Sequence, residues 1–250
     1  VTLPMDQVQT AMLAGVRFVA FFVIAPPFAH RGIPGAVKAM LSVGLALAVL
    51  PRLELTSTTS TGEFVGALVL EAVVGAALGF LVYLVFSAVQ AAGNLIDLFG
   101  GFQLAQAFDP QNQTSGAQFA RFYNWTCLVL LFVSGAYQML IAGLARSFDA
   151  VPVGAGLDLA AMGSAVTTGL TDMFVASLQI AGPLLVVLFL TDVGLGLLTR
   201  VSPALNAFAM GFPLKILMTL TFVGFAYLAL PGVVGDLTDR AVEAMLGTAS

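Results

Sequence analysis

The sequence predicts an all-α, membrane-embedded bundle of about six long apolar helices with kinked or broken members. Three observations carry that expectation. Of the 250 residues, 59% are hydrophobic and only 9% charged, against roughly 45–50% and about 25% in ordinary globular domains. With a mean hydropathy of +1.01, too few charges remain to cover a soluble core. Apolar runs of bilayer length recur between short polar breaks. Prolines also sit inside two of those runs, where neighbouring helices can satisfy the backbone groups they free.

The elements follow in order. The first run, Ala11–Phe28, is closed by "PPFAHRGIPG", whose prolines and glycines forbid a continuous helix. It lacks a basic start and a small-residue cleavage site, so it reads as a retained span rather than a leader. The second run, Val37–Leu50, is short and stops at Pro51. "TSTTSTGEF" then offers helix N-caps for a third run, Phe64–Phe99. This run has no proline and would extend roughly 50 Å, beyond a hydrocarbon core of about 30 Å. The fourth run is Tyr123–Leu144, and after "RSFDAVPVGAGLDL" come the fifth, Phe174–Leu198, and the sixth, Ala207–Leu230. The tail Asp236–Met245 reads as a brief amphipathic helix. No repeat of 20–50 residues is present.

Composition excludes several chemistries. The formal charge of −4 is thinly spread and no basic run offers a nucleic-acid surface. One cysteine, Cys127, and one histidine, His30, leave no material for a disulfide, a zinc or haem site, or a Cys–His nucleophile. No glycine-rich loop followed by Lys-Ser/Thr is present for a nucleotide. No metal or cofactor is expected. Loop charges do not orient the chain: Arg31, Lys38, Arg121 and Arg200 would share one side, with Arg52, Arg146 and Arg240 on the other.

Three features within the runs could carry function. Arg17, Glu71, Asp192 and Lys215 lie in apolar surroundings, where an unpaired charge costs a few kcal/mol. They read either as an ion path, with Glu71 or Asp192 as proton carrier, or as structural pairs, and pairing is the better reading. "GAALG" sets Gly75 and Gly79 one turn apart for close helix contact, within the chain or with other chains. Pro183 and Pro213 interrupt the fifth and sixth runs. Around Pro213, "NAFAMGFPLK" combines a kink, an Asn and a Lys, marking a broken helix of a transporter site or a structural bend.

"LTRVSPALNAFAMGFPLKI", Leu198–Ile216, resembles a motif of the FliR family of flagellar export-gate proteins. Arg200, Pro203, Asn206, Phe208, Gly211, Phe212, Pro213 and Lys215 fall in register with it. "APPFAHRGIPGAVKAMLSVGLAL", "AAGNLIDLFGGFQLAQAFDP" and "LIAGLARSFDAVPVG" are similar to three further family segments, in the right order. The sequence departs from the family at Ala204, where a Gln is usual, and at Ser134–Tyr137, where Gly-Gly-His is usual. The resemblance implies a non-enzymatic, pore-forming subunit of the flagellar type III export gate in the bacterial inner membrane and flagellar basal body. That subunit joins FliP-like, FliQ-like and FlhB-like partners in a helical assembly, much of it above the membrane plane, and passes unfolded proteins. It further implies that residues 1–150 imitate the FliP-like partner and residues 170–250 the FliQ-like hairpin. The paralogous virulence secretion subunit and, from another class, a small-solute secondary transporter are the alternatives.

The resemblance also places the central loop, residues 100–116, inside the pore as a plug. Gly100, Gly101, Phe102, Gln103, Leu104, Phe108, Asp109 and Pro110 would form it. The residues suit that role, with glycine hinges, one acidic group, and Phe102, Leu104 and Phe108 to occlude a channel, since a hydrophobic constriction suffices to stop ions. An ordinary solvent loop is the competing reading. Pro213 is expected to break the sixth helix, with Lys215 reaching a carboxylate or the freed carbonyls. Buried charges and glycine faces together lead to the expectation of obligate hetero-assembly.

Overall fold

The protein is described by a computed structural model covering residues 4–55, 60–102, 118–155, 159–202 and 207–247. These residues form seven α-helices and no strand: α1 (Met5–Ile24), α2 (Gly35–Val49), α3 (Thr61–Phe99), α4 (Gln118–Val133), α5 (Ala136–Ala150), α6 (Leu159–Val201) and α7 (Ala207–Gly247). A 3₁₀ turn, Leu50–Arg52, follows α2. Five helices are long and apolar enough to cross a membrane, and the bent pair α4–α5 makes a sixth span if counted as one.

Local chemistry sets several boundaries. The Ser/Thr-rich loop supplies Ser60, whose Oγ accepts the Glu63 N–H at 3.2 Å. The Glu63 carboxylate in turn accepts the Ser60 N–H at 3.3 Å, so α3 opens on a reciprocal cap. At its far end Gly101 adopts φ +82°, a left-handed geometry that glycine enters without cost. The fourth apolar run is not continuous as expected. Gly135, at φ +75°, ends α4 and starts α5 within the stretch where the family motif departs.

The prolines behave differently from expectation. Pro183 lies inside a continuous 43-residue α6, and Pro213 and Pro231 inside a continuous 41-residue α7. Pro213 therefore does not break its helix. It stands in the second turn, where the lost N–H removes one bond from a long ladder. The expected tail helix is the end of α7 itself, and α6 begins some fifteen residues before the fifth apolar run. At 1.5 Å per residue, α3, α6 and α7 each extend ~60 Å, about twice a hydrocarbon core.

The chain forms two compact units, each drawing on several segments. One contains residues 1–86, 131–171 and 237–250; the other contains 87–130 and 172–236. The segments of the two units interleave along the chain. In the first unit, Leu13, Phe18, Phe21 and Phe22 of α1, Leu78 and Leu81 of α3, and Leu140 and Leu144 of α5 are fully or almost fully buried. The Phe22 and Phe28 rings meet at a tilt of 55°, 4.6 Å between centroids. By contrast, α2 buries only Ser42 and Ala46 and exposes Met40, Val43 and Leu47. In the second unit the core comes from Ala88, Val89, Ala92 and Ile96 of α3, Tyr123 and Cys127 of α4, and Ala181, Leu184 and Leu188 of α6.

Candidate functional site

The most ordered polar constellation is in the first unit. Arg17 of α1 and Glu71 of α3, both wholly buried, form a two-pronged pair. Nε donates to Oε2 at 2.5 Å and Nη2 to Oε1 at 3.0 Å. The remaining arm, Nη1, donates to the Val151 carbonyl at 2.9 Å and the Ser147 carbonyl at 3.4 Å. Oε1 also accepts the Gly154 N–H at 2.9 Å. The Phe148 ring covers the guanidinium at 4.1 Å. One ion pair thus joins α1, α3, the end of α5 and the turn that leads towards α6.

Sequence spacing makes this possible. Glu71, Gly75 and Gly79 recur every four residues and share one face of α3. A Cβ at Gly75 would meet the Arg17 carbonyl at 2.2 Å, and one at Gly79 the Phe21 carbonyl at 3.1 Å. The two glycines therefore serve contact with α1 of the same chain, not with another chain. Their absent side chains bring α1 close enough for the ion pair.

The other two intramembrane charges pair as well. Lys215 Nζ lies 2.7 Å from Asp192 Oδ1, with the side chains 21% and 46% exposed, so Lys215 does reach a carboxylate two residues after Pro213. With Arg17–Glu71, this means all four charges singled out from the sequence find partners inside the chain. That removes unpaired charge as an argument for hetero-assembly. Both Glu71 oxygens accept bonds from donors of the same chain, which is the structural-pair reading.

At the start of the central loop, Gly100 and Gly101 pack on α7. A Cβ at Gly100 would lie 2.9 Å from Thr219 Oγ1, and one at Gly101 would lie 3.2 Å from Phe212 Cδ1. Phe102 meets Phe119 edge to face at 5.0 Å. Gln103, Leu104, Phe108, Asp109 and Pro110 lie outside the described residues, as do Pro203 and Asn206. Phe208 falls within α7. Arg200 is exposed in the last turn of α6, where its charge complements the helix dipole. A Cβ at Gly211 would lie 3.7 Å from Leu195 Cδ1, an ordinary contact.

One residue lies within a quoted family-like segment but has no role assigned from the sequence. Asp97, fully buried near the end of α3, accepts the N–H groups of Phe119 and Ala120 at 3.1 and 3.0 Å. It caps α4 from another helix. Its signal was an acidic residue in an apolar stretch, hidden by its place at the polar margin of the run. Among the described residues, no group of His, Cys, Asp and Glu could hold a metal. The only buried side-chain oxygen or nitrogen there without a partner is the Tyr123 hydroxyl.

Fold and site together define a helical membrane protein whose buried charges fasten its own helices. The sequence matches the family described as "Bacterial export proteins, family 1" over residues 8–241, and the chain belongs to that family. It is 28% identical over 244 residues to the flagellar biosynthetic protein FliR of Bacillus subtilis (strain 168), covering 96% of this chain and 94% of that one. It is 32% identical over 220 residues to the FliR of Pectobacterium carotovorum subsp. carotovorum, covering 86% and 83%. Likeness to the surface presentation of antigens protein SpaR of Shigella sonnei is 29% over 153 residues, covering 61% and 59%.

Proposed function

We propose that this chain is the FliR-type structural subunit of the flagellar type III protein export gate, lining the path by which unfolded flagellar proteins cross the inner membrane at the basal body. The observation that carries the reading is coverage: likeness to FliR proteins extends over nearly the whole of both chains, whereas likeness to SpaR stops at about three fifths. The virulence paralogue is thereby the second choice. Pairing of Glu71 and Asp192 speaks against a proton-coupled solute carrier. The subunit acts as structure and not as an enzyme, and FliP-like, FliQ-like and FlhB-like chains are its proposed partners.

Within that reading, residues 1–150 and 170–250 correspond to the two partner types, and residues 100–116 plug the pore. The exposed apolar side chains Leu217, Leu220, Phe225 and Leu228 of α7 support burial against lipid or neighbouring chains. The test is complementation. In a flagellated strain lacking its own FliR, expression of this chain should restore motility and secretion of flagellar proteins. The chain should also purify with FliP- and FliQ-like subunits, as read by native mass spectrometry. A stable monomer with no associated subunits, in cells that stay non-motile, would refute the assignment.

A further inference from the structure

Arginine at the end of an apolar helix lays its stem along hydrocarbon and places its guanidinium in the headgroup layer. Two arginines of the first unit are so placed. Arg52 ends the candidate span Gly35–Arg52, and Arg146 lies in α5, four residues before its end. Both line one cavity of about 310 Å³, whose wall includes Leu53, Ala145, Phe148 and Asp149. That volume is at the lower end of the range of small-ligand sites, roughly 300–1,000 Å³. Arg52, Arg146 and Asp149 are all exposed. None belongs to an ion pair among the described residues, where the pairs are Arg17–Glu71 and Lys215–Asp192.

We propose that this cavity binds the headgroup of an amine-bearing membrane phospholipid. Arg52 and Arg146 hold its phosphate, Asp149 holds its ammonium, and the start of an acyl chain lies along the apolar wall that includes Ala48, Val49 and Leu53. Guanidinium groups match phosphate oxygens with two parallel donors each, and basic pockets at span ends are a recurrent mode of lipid recognition. The charge pattern selects within that class. Two cations and one carboxylate complement a zwitterion, whereas a glycerol headgroup would satisfy the arginines and leave Asp149 facing a second anion. Leu53 and Phe148 give the cavity an apolar wall that inorganic phosphate has no use for. Ala48 and Val49 on α2 extend that wall along the helix. A carboxylate of a neighbouring protein would need neither the apolar wall nor the span-end position. This inference does not depend on the export reading.

The experiment uses the full chain purified with its associated subunits, stripped of lipid, and offered phosphatidylethanolamine or phosphatidylglycerol in mixed micelles. Native mass spectrometry reads both the bound lipid and the intact assembly. The parent should retain phosphatidylethanolamine in preference to phosphatidylglycerol. Arg52→Gln with Arg146→Gln should lower its occupancy about 30-fold, from roughly 1 kcal/mol per arginine near a membrane surface. Asp149→Asn should keep lipid binding but erase the preference. Ala145→Trp, which fills the cavity and leaves every charge in place, should also lose the lipid. Undiminished lipid on the double arginine variant or on Ala145→Trp overturns the proposal. So does displacement by millimolar inorganic phosphate, which would make this a free-phosphate site. Loss of a protein subunit with lipid unchanged would instead assign the arginines to a protein interface.

Discussion

Removing Arg17 is the sharpest test of what holds the first unit together. Arg17→Met keeps most of the side-chain volume but leaves Glu71, wholly buried, with the Gly154 N–H as its one remaining described donor. Stranding one member of a buried pair costs about 3–5 kcal/mol. Glu71→Leu is the milder lesion. The guanidinium it strands still donates to the Val151 and Ser147 carbonyls and lies against the Phe148 ring at 4.1 Å, a contact contributing up to about 2 kcal/mol when desolvated.

The double variant Arg17→Met with Glu71→Leu then removes both charges. What remains is the loss of partners at Val151 O and Gly154 N–H, about 1–3 kcal/mol for each group left unsatisfied. The double change should therefore cost no more than Arg17→Met alone, and the cycle should return a coupling of about 2 kcal/mol or more. Thermal unfolding in detergent reads it. At roughly 2–4 °C per kcal/mol for a chain of this size, Arg17→Met should lower Tm by about 6–20 °C, and Glu71→Leu by less. Single effects of a degree or two, or losses that simply add in the double variant, would refute the argument that this pair fastens four segments.

Two further predictions follow from close approaches and capping. Gly75→Ala should destabilise by about 2 kcal/mol or more, because its methyl would lie 2.2 Å from a backbone oxygen, and overpacking of this kind costs about 1–3 kcal/mol. Gly79→Ala, at 3.1 Å from its nearest atom, should cost less than 1 kcal/mol by the same reasoning; equal losses of Tm would contradict the geometry. Asp97→Ala should cost ~1–2 kcal/mol as a lost N-cap and raise amide exchange at Phe119 and Ala120, with Asp97→Asn intermediate because its amide oxygen still accepts one bond. Unchanged exchange at those two amides would remove Asp97 from the role.

Much of this architecture was legible because bilayer-length apolar runs need little tertiary information to be recognised. The Ser/Thr-rich loop was visible as a source of N-caps for α3 because capping is local. The errors lie where local chemistry competes with packing. A proline in a helix of about forty residues removes one bond among dozens, so Pro183 and Pro213 read as breaks and are not. Gly135 reads as an unremarkable small residue, yet its positive φ divides a span. Arg17 and Glu71 could each be singled out as costly charges, but choosing their partners needed a distance between residues 54 apart in sequence. Asp97 was missed because its partners are backbone N–H groups, which every residue except proline carries, so nothing in the sequence marks them.

The stem of the central loop shows why placement matters more than residue type there. Asp97 binds the first amides of α4, and a Cβ at Gly93 would lie 2.5 Å from the Ala120 Cα. Phe102 closes on Phe119. The chain thus leaves α3 and enters α4 at one fixed junction, and the loop between has its ends held whatever its length. Loop-closure entropy changes by only ~0.6 kcal/mol for each doubling of length, so shortening the loop should leave this junction intact. Stiffening its base is another matter. Gly100 and Gly101 look like hinges in the sequence, but a side chain at Gly100 would collide with Ile96 O at 2.7 Å and Thr219 Oγ1 at 2.9 Å, while one at Gly101 would press on Phe212 at a strained φ of +82°. Valine at both positions would therefore disturb the packing of α3 on α7 before it changed how freely the loop moves. A change of export in such a variant reports on the stem, and only changes beyond Phe102 report on the loop itself.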